Sequence, residues 1–216
     1  ADIYGPSLPT MLATGQSKPE VGAGQKLQPL MRGGLATMSI GYLVDSESPM
    51  VWRGAMATGA VRQLMEDVHW AGADAPLDVL VIDMPPGTGD VQLTMIQKHK
   101  PAGAVLVSTP QDLALIDAAR AGQLFEQAGV PIVGLVENMS GYVCPHCGEL
   151  SDPFGAGGVE AAAGRLGLPF LGRIPLSLAI RESGDAGAPP AAGESADAEP
   201  FGVIAGKIAQ WLAAHA

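Results

Sequence analysis

The sequence predicts an α/β protein, a mostly parallel β-sheet with helices on both faces. Three observations predict it. Short, branched, apolar runs ended by Gly, Pro or polar residues recur along the chain, as buried parallel strands require. Amphipathic stretches with helix-stop signals alternate with them. Finally, the 216 residues are 47% hydrophobic and only 16% charged, which suits one well-buried domain. Strand–helix–strand alternation implies right-handed crossovers, and ligands in such sheets gather at the carboxyl ends of the strands.

Taken in order, GLATMSIGYLV (34–44) is readable as a first strand. The stretch 48–70 turns helical from about Gly54, with Val61, Leu64, Met65 and Val68 as its buried stripe. LDVLVID (77–83), AGAVLVST (102–109) and PIVGLVEN (131–138) read as three buried parallel strands. Between the last two, DLALIDAARAGQLFEQAG (112–129) predicts a helix with Leu113, Ile116, Ala119, Leu124 and Ala128 on one face, stopped by Gly129 and Pro131. GVEAAAGRLG (158–167) is helix-like, and PFLGRIPL (169–176) supplies a fourth short strand. Residues 182–200, rich in Gly, Ala, Pro and acid, predict a flexible loop before a closing amphipathic helix. A single domain over residues 1–216 is expected.

The net charge of −10 argues against a nucleic-acid footprint and against docking on an anionic membrane by charge. No apolar run reaches the ~20 residues of a membrane-spanning helix. ADIYGPSLP, at the start, has no basic-then-apolar leader. Two cysteines do not make a disulfide scaffold, so a reducing cytoplasm is expected. The first residue is not Met, which suggests a fragment or a processed chain.

Two motifs carry chemistry. LDVLVID delivers Asp83 directly into MPPGTGD, the arrangement by which P-loop NTPases hold Mg²⁺ and sense a γ-phosphate. Asp83 would reach the metal and Gly87 would offer a backbone N–H near the terminal phosphate; the plainer reading is an Asp capping a turn. The second motif is CPHC, which holds Cys144 and Cys147, the only cysteines present. Two thiolates cannot fill a four-coordinate site, but two copies related by a two-fold axis supply four. Zinc, an iron–sulfur cluster and dithiol redox chemistry all suit the spacing. The residues after Cys147, GELSDPFG, read as loop rather than as the first turn of a helix, unlike a thioredoxin-type site. His146 reads as an exposed loop histidine, and His69, His99 and His215 have no partners at metal-ligand spacing. Trp52 and Arg53 read as a surface pair, and Met38, Met50, Met56 and Met65 as core filler.

VIDMPPGTGDVQLT, STPQDLALIDAARA, GLVENMSGYVCPHCG, FGAGG, LPFLGRIPL and IRESGDAG occur in that order, after ADIYGPSLP and MSIGYLV…VWRGAM. Together they resemble the Mrp-type iron–sulfur cluster carriers, a branch of the MinD/ParA-like deviant-Walker P-loop ATPases. The resemblance implies a homodimer that binds ATP and Mg²⁺, bridges a [4Fe–4S] cluster between its subunits and passes it to apo iron–sulfur proteins. It implies Cys144 and Cys147 as cluster ligands, Asp83 as the Walker B aspartate and Gly87 as the switch II glycine. Asp2 resembles the switch I aspartate that positions the attacking water, and Asn138 the asparagine that reads the adenine edge. Ile174 to Leu176 would pack near the base. The family's glycine-rich Walker A segment belongs ahead of ADIYGPS and is not in this sequence; GAGQK (22–26) and GAGG (155–158) lack the GK[ST] ending. The chain is therefore expected to be the C-terminal majority of a longer protein, poor at binding ATP by itself. A MinD/ParA-like scaffold ATPase without a cluster and a CPHC zinc or thiol–disulfide protein are the competing expectations.

Overall fold

The computed structural model describes residues 2–3, 7–15, 17–44, 54–71, 76–85, 87 and 89–215. Met50, Trp52, Arg53 and the side chain of Met56 lie outside the described residues. The chain forms two compact units, Ala1–Met95 with Gly184–Pro189, and Ile96–Ser183 with Pro190–Ala216.

In the first unit, α1 (Ser7–Met11) precedes an antiparallel hairpin of β1 (Leu30–Arg32) and β2 (Leu35–Thr37). Gly33 and Gly34 turn it with φ of 56° and 81°, a pair of left-handed residues that matches the twist of the flanking strands. The stretch 34–44 thus yields only three strand residues, followed by a 3-10 turn over Ile40–Tyr42 that Ser39 caps by accepting the Gly41 N–H at 3.0 Å. Helix α2 (Gly54–Glu66) starts where expected, and Val61, Leu64 and Val68 are buried, with Met65 half-buried. Met38 is fully buried, as core filler should be.

The run 77–83 is a correction. It forms no strand; Asp83 makes a β-bridge to Asp2, while Leu77, Val79 and Val81 remain 39%, 51% and 74% exposed. An apolar run is buried on both faces only when strands flank it and helices cover it. No named strand pairs with this one.

Helix α3 (Asp90–His99) leads into the second unit, whose sheet is parallel with the order β3–β4–β7. Its strands are β3 (Ala104–Ser108), β4 (Ile132–Glu137) and β7 (Phe170–Arg173), three of the predicted ones. All six residues of β4, the central strand, are buried. Helices α4 (Asp112–Gln127) and α5 (Gly158–Leu166) lie over one face, where Leu106, Leu115, Leu135 and Ala162 line a cavity of about 380 Å³. On the opposite face α7 (Glu199–His215) buries Ile204 against Val133, Val136 and Leu171, with Ile208 and Trp211 beside them. The predicted face of α4 is rotated: Leu113 and Ile116 are exposed, and Gly122 is the buried residue. Two apolar stripes compete on this helix, and small residues at 118 and 122 let the backbone approach the sheet where Leu113 would not. A Cβ at Gly122 would lie 3.1 Å from Leu106.

Between β4 and α5 runs a small antiparallel hairpin of β5 (Tyr142–Val143) and β6 (Leu150–Ser151). Residues 182–200, expected as a loop, carry the end of α6 (Leu178–Asp185) and 3-10 turns at Pro190–Ala192 and Ala196–Ala198. Among the described residues no helix is long and apolar enough to cross a membrane.

Close approach of β4 and β7 depends on Gly134. A Cβ there would sit 2.6 Å from the Pro169 carbonyl oxygen and 2.8 Å from Leu171 Cγ. Gly134→Ala is expected to cost about 2 kcal/mol. Gly164, exposed in α5 with open space around it, is its control. Gly164→Ala should gain about 0.5–1 kcal/mol by restricting the unfolded chain. Urea unfolding midpoints of the two variants check both signs.

Candidate functional site

Asp2, Asp83 and Gly87 lie in the first unit. The Asp2 backbone is a strand-like junction: it bridges both Ser39 and Asp83, donating its N–H to Met38 O at 2.9 Å and accepting from Ile40 N at 3.0 Å. Its side chain is 1% exposed. Oδ2 accepts from Ser39 Oγ at 2.8 Å and from Leu8 N at 3.2 Å, whereas no described donor reaches Oδ1. A buried carboxylate oxygen without a donor is costly unless a ligand or cation completes it. Asp83 keeps solvent contact, yet partial desolvation, and then the Asp2 carboxylate beside it, raise its pKa above the usual aspartate value. The Asp2 carboxylate thus disfavours the charged form of Asp83 across their backbone bridge. Gly87, with φ of 94°, is exposed in the turn that follows. Gln92, buried in α3, donates from Nε2 to Pro85 O at 3.0 Å and so pins the turn's entry.

Asn138, Cys144 and Cys147 lie in the second unit. Asn138 continues the β4–β3 ladder by one residue, donating its N–H to Ser108 O at 2.8 Å. Its Oδ1 accepts the Met139 N–H at 2.9 Å. That contact assigns Oδ1 as the acceptor and leaves Nδ2 as the donor end of the amide. Met139 adopts φ of 55°, an uncommon conformation for a residue with a Cβ, where the chain leaves the sheet.

The CPHC turn is the tip of the β5–β6 hairpin. Cys144 N–H donates to Glu149 O and Gly148 N–H to Cys144 O, both at 2.9 Å, closing the loop on the last rung, Val143 opposite Leu150. Both cysteines are free; Cys144 is half-buried and Cys147 exposed. Backbone N–H groups of Cys147 and His146, followed by the Cys147 thiol, stabilise the Cys144 thiolate and lower its pKa. His146 is exposed. No group of three or more His, Cys, Asp or Glu side chains among the described residues could hold a metal. One chain therefore offers two thiolates, and the remaining ligands of a tetrahedral or cubane site must come from elsewhere.

Sequence reasoning missed Glu137. It is 0% exposed, and its Oε1 accepts from Ser140 Oγ at 2.7 Å, Gly157 N at 3.2 Å and Arg173 Nε at 3.2 Å, while Oε2 accepts from Val159 N at 3.0 Å. The sole signal was a charged residue in an otherwise apolar strand, placed just before Asn138. The hairpin was missed because two-residue strands are too short to show alternation.

Comparison with known proteins places these observations. The profile of the family described as ParA, NUBPL iron-transfer P-loop NTPase, matches residues 1–209. The "Iron-sulfur cluster carrier protein" of Escherichia coli K12 is 49% identical over 189 residues, 88% of this chain and 50% of that protein. A protein of the same description from Methanocaldococcus jannaschii is 42% identical over 97% of this chain and 72% of its own length. The "Iron-sulfur protein required for NADH dehydrogenase, mitochondrial" of Arabidopsis thaliana is 49% identical over 88% of this chain and 59% of its own. The chain thus spans about half the length of the E. coli relative. Among solved structures, a nucleotide-binding protein in complex with ADP from Archaeoglobus fulgidus, with Co, superposes with a TM-score of 0.74 at 33% identity. It covers 93% of this chain and 76% of that one. The cell division ATPase MinD of Pyrococcus furiosus gives 0.51 at 26% identity, covering 74% and 62%.

The depressed pKa of Glu137 has a consequence for stability. Burial alone would raise it, but Ser140, the two backbone N–H groups and Arg173 outweigh burial and hold it below the ordinary glutamate value. Its contribution is therefore complete above the unfolded-state pKa of about 4.3 and lost as pH falls through the lower folded value. Between about pH 5 and about pH 3, the urea midpoint of the wild-type chain should fall more steeply than that of Glu137→Gln.

Proposed function

Because the chain belongs to the NUBPL iron-transfer P-loop NTPase family, we propose that it is the cluster-bearing part of an ATP-dependent iron–sulfur carrier. A [4Fe–4S] cluster is its cargo, held between two copies by Cys144 and Cys147 of each and delivered to apo iron–sulfur proteins. The observation that carries this reading is the hairpin tip: two adjacent free thiols, one with a stabilised thiolate, and no third ligand within the described residues. A two-fold contact between copies doubles the two to the four that a cluster needs.

The nucleotide half of the proposal rests on the first unit and on Asn138. Asp2 and Asp83 fit a divalent cation, since Asp2 Oδ1 is buried with no donor among the described residues and Asp83 is disfavoured as an anion beside it. Mg²⁺ bound there would neutralise phosphate charge. Asp2 would orient a water for attack on the terminal phosphate, the Gly87 N–H would donate to that phosphate, and Asn138 would present its amide donors to the base. ATP hydrolysis belongs to a form of the protein that also has a phosphate-cradling loop. A thiol oxidoreductase reading is weaker, because Cys144 sits in a hairpin turn and not at a helix N-terminus. A MinD-like positioning switch has no use for paired exposed thiols.

Anaerobic reconstitution of the chain with ferrous iron and sulfide tests the reading. A broad absorption near ~400 nm on a dimeric species, with iron and sulfide in equal amounts, is the expected result. Cys144→Ala and Cys147→Ala should each abolish the colour while circular dichroism stays unchanged. Iron retained by the double variant would overturn the ligand assignment, and a colourless chain that takes up zinc would make the hairpin a zinc knuckle.

A further inference from the structure

The geometry points to Glu137 as a positioning residue that sets the thiol hairpin and the Asn138 loop in one fixed relation, acting through Ser140. This rests on the carrier reading and extends it to a residue that touches neither nucleotide nor metal.

Only residues 139–141 separate Asn138 from Tyr142, where the hairpin begins. Three contacts hold this short linker to the segment that follows β7 and to Glu137. Ser140 N–H donates to Ile174 O at 3.0 Å, Gly141 O accepts Leu176 N–H at 2.9 Å, and Ser140 Oγ donates to Glu137 Oε1 at 2.7 Å. The last is the one side-chain contact among them. The same Oε1 accepts from Arg173 Nε, and Arg173 directly precedes Ile174, the linker's backbone partner. Glu137 thus grips both sides of the clamp, Ser140 on the linker and Arg173 on the strand it lies against. Glu137 O also accepts Ile174 N–H at 2.8 Å, so its main chain and side chain fix the same neighbour. Its remaining contacts, to Gly157 and Val159 N–H, anchor the start of α5 and make the carboxylate immobile. A ligand-bearing hairpin takes its direction from its root, and groups that orient ligands indirectly control metal affinity.

Three variants, set beside Glu137→Gln, separate positioning from general stability. Ser140→Ala removes the linker contact and leaves α5 and Arg173 on Glu137. Ser140→Thr keeps a hydroxyl there. Glu160→Gln removes the charge of Arg173's other partner, in an exposed ion pair between β7 and α5. The probe is Co²⁺ alone, titrated into the 216-residue chain and read by its thiolate charge-transfer absorption, alongside amide hydrogen exchange. Ser140→Ala and Glu137→Gln are expected to weaken Co²⁺ about tenfold or more. Both should speed exchange across residues 140–151 while β3 and β4 stay protected. Ser140→Thr should restore both readouts, and Glu160→Gln should change neither. The inference is overturned if Ser140→Ala leaves both at wild-type values, if Glu160→Gln matches it, or if Glu137→Gln acts only by loosening β3 and β4 as well. A wild-type chain that takes up no Co²⁺ rejects the thiol-site reading, and hydrogen exchange alone then decides the role of Glu137.

Discussion

A carboxylate entirely out of water at the end of a central strand constrains everything around it. An unpaired buried anion costs several kcal/mol, so its donors are obligatory. For Glu137 they come from three directions: the linker at Ser140, the first turn of α5 at Gly157 and Val159, and β7 at Arg173. The glycines of FGAGG make the α5 contribution geometrically available. Gly157 takes φ of 72° at the N-cap, and Gly158 lies so close to the Pro110 carbonyl that a Cβ would collide with it. What looks in isolation like a fragment of a phosphate loop is a helix entry shaped to present two N–H groups to one buried carboxylate. Arg173 in turn pairs with Glu160, so the helix whose first turn is held by β4 is tied to β7 as well.

The thiol hairpin follows a different logic, that of an element built to be exposed. It has two rungs, the cross-strand pair Val143 and Leu150 is 61% and 65% exposed, and its tip holds both cysteines. A core element would bury such a pair. On the carrier function we propose, a site that meets a second copy and later releases its cargo would be left unsealed, because structural metal sites are closed.

In the first unit the constraint is electrostatic. Partial desolvation, and then the buried Asp2 carboxylate, raise the Asp83 pKa, and among the described residues no donor reaches Asp2 Oδ1. Chains tolerate such tension where a ligand relieves it, which is why perturbed carboxylate pairs concentrate at functional sites. Ser39 and Gln92, neither of which chemistry-bearing motifs single out, keep the pair in place by binding Asp2 Oδ2 and Pro85 O.

Much of this was legible in the residues. Runs such as AVLVS and IVGLVE have one outcome when helices can cover both faces, and Asp112–Gln127 has helical spacing with a glycine stop, so strand and helix identities followed from periodicity alone. CPHC declared a thiol pair, and the ordered motifs declared the family. Periodicity says which residues are apolar, not which of two apolar stripes meets the sheet, so α4 faced differently than expected, with Leu113 in solvent. Nor can it supply strand neighbours: LDVLVID reads as a buried strand, but burial is a property of what packs on it, and among the described residues the bridge falls at its terminal Asp83. Glu137 shows the same division. The sequence by itself determined that one acid stands in an apolar strand before Asn138; only the tertiary structure, by converging Ser140, Gly157, Val159 and Arg173 from separate elements, decided that it is the anchor of the site. The physical reason is that a buried charge is explained by donors distant in sequence, and local pattern carries no information about them.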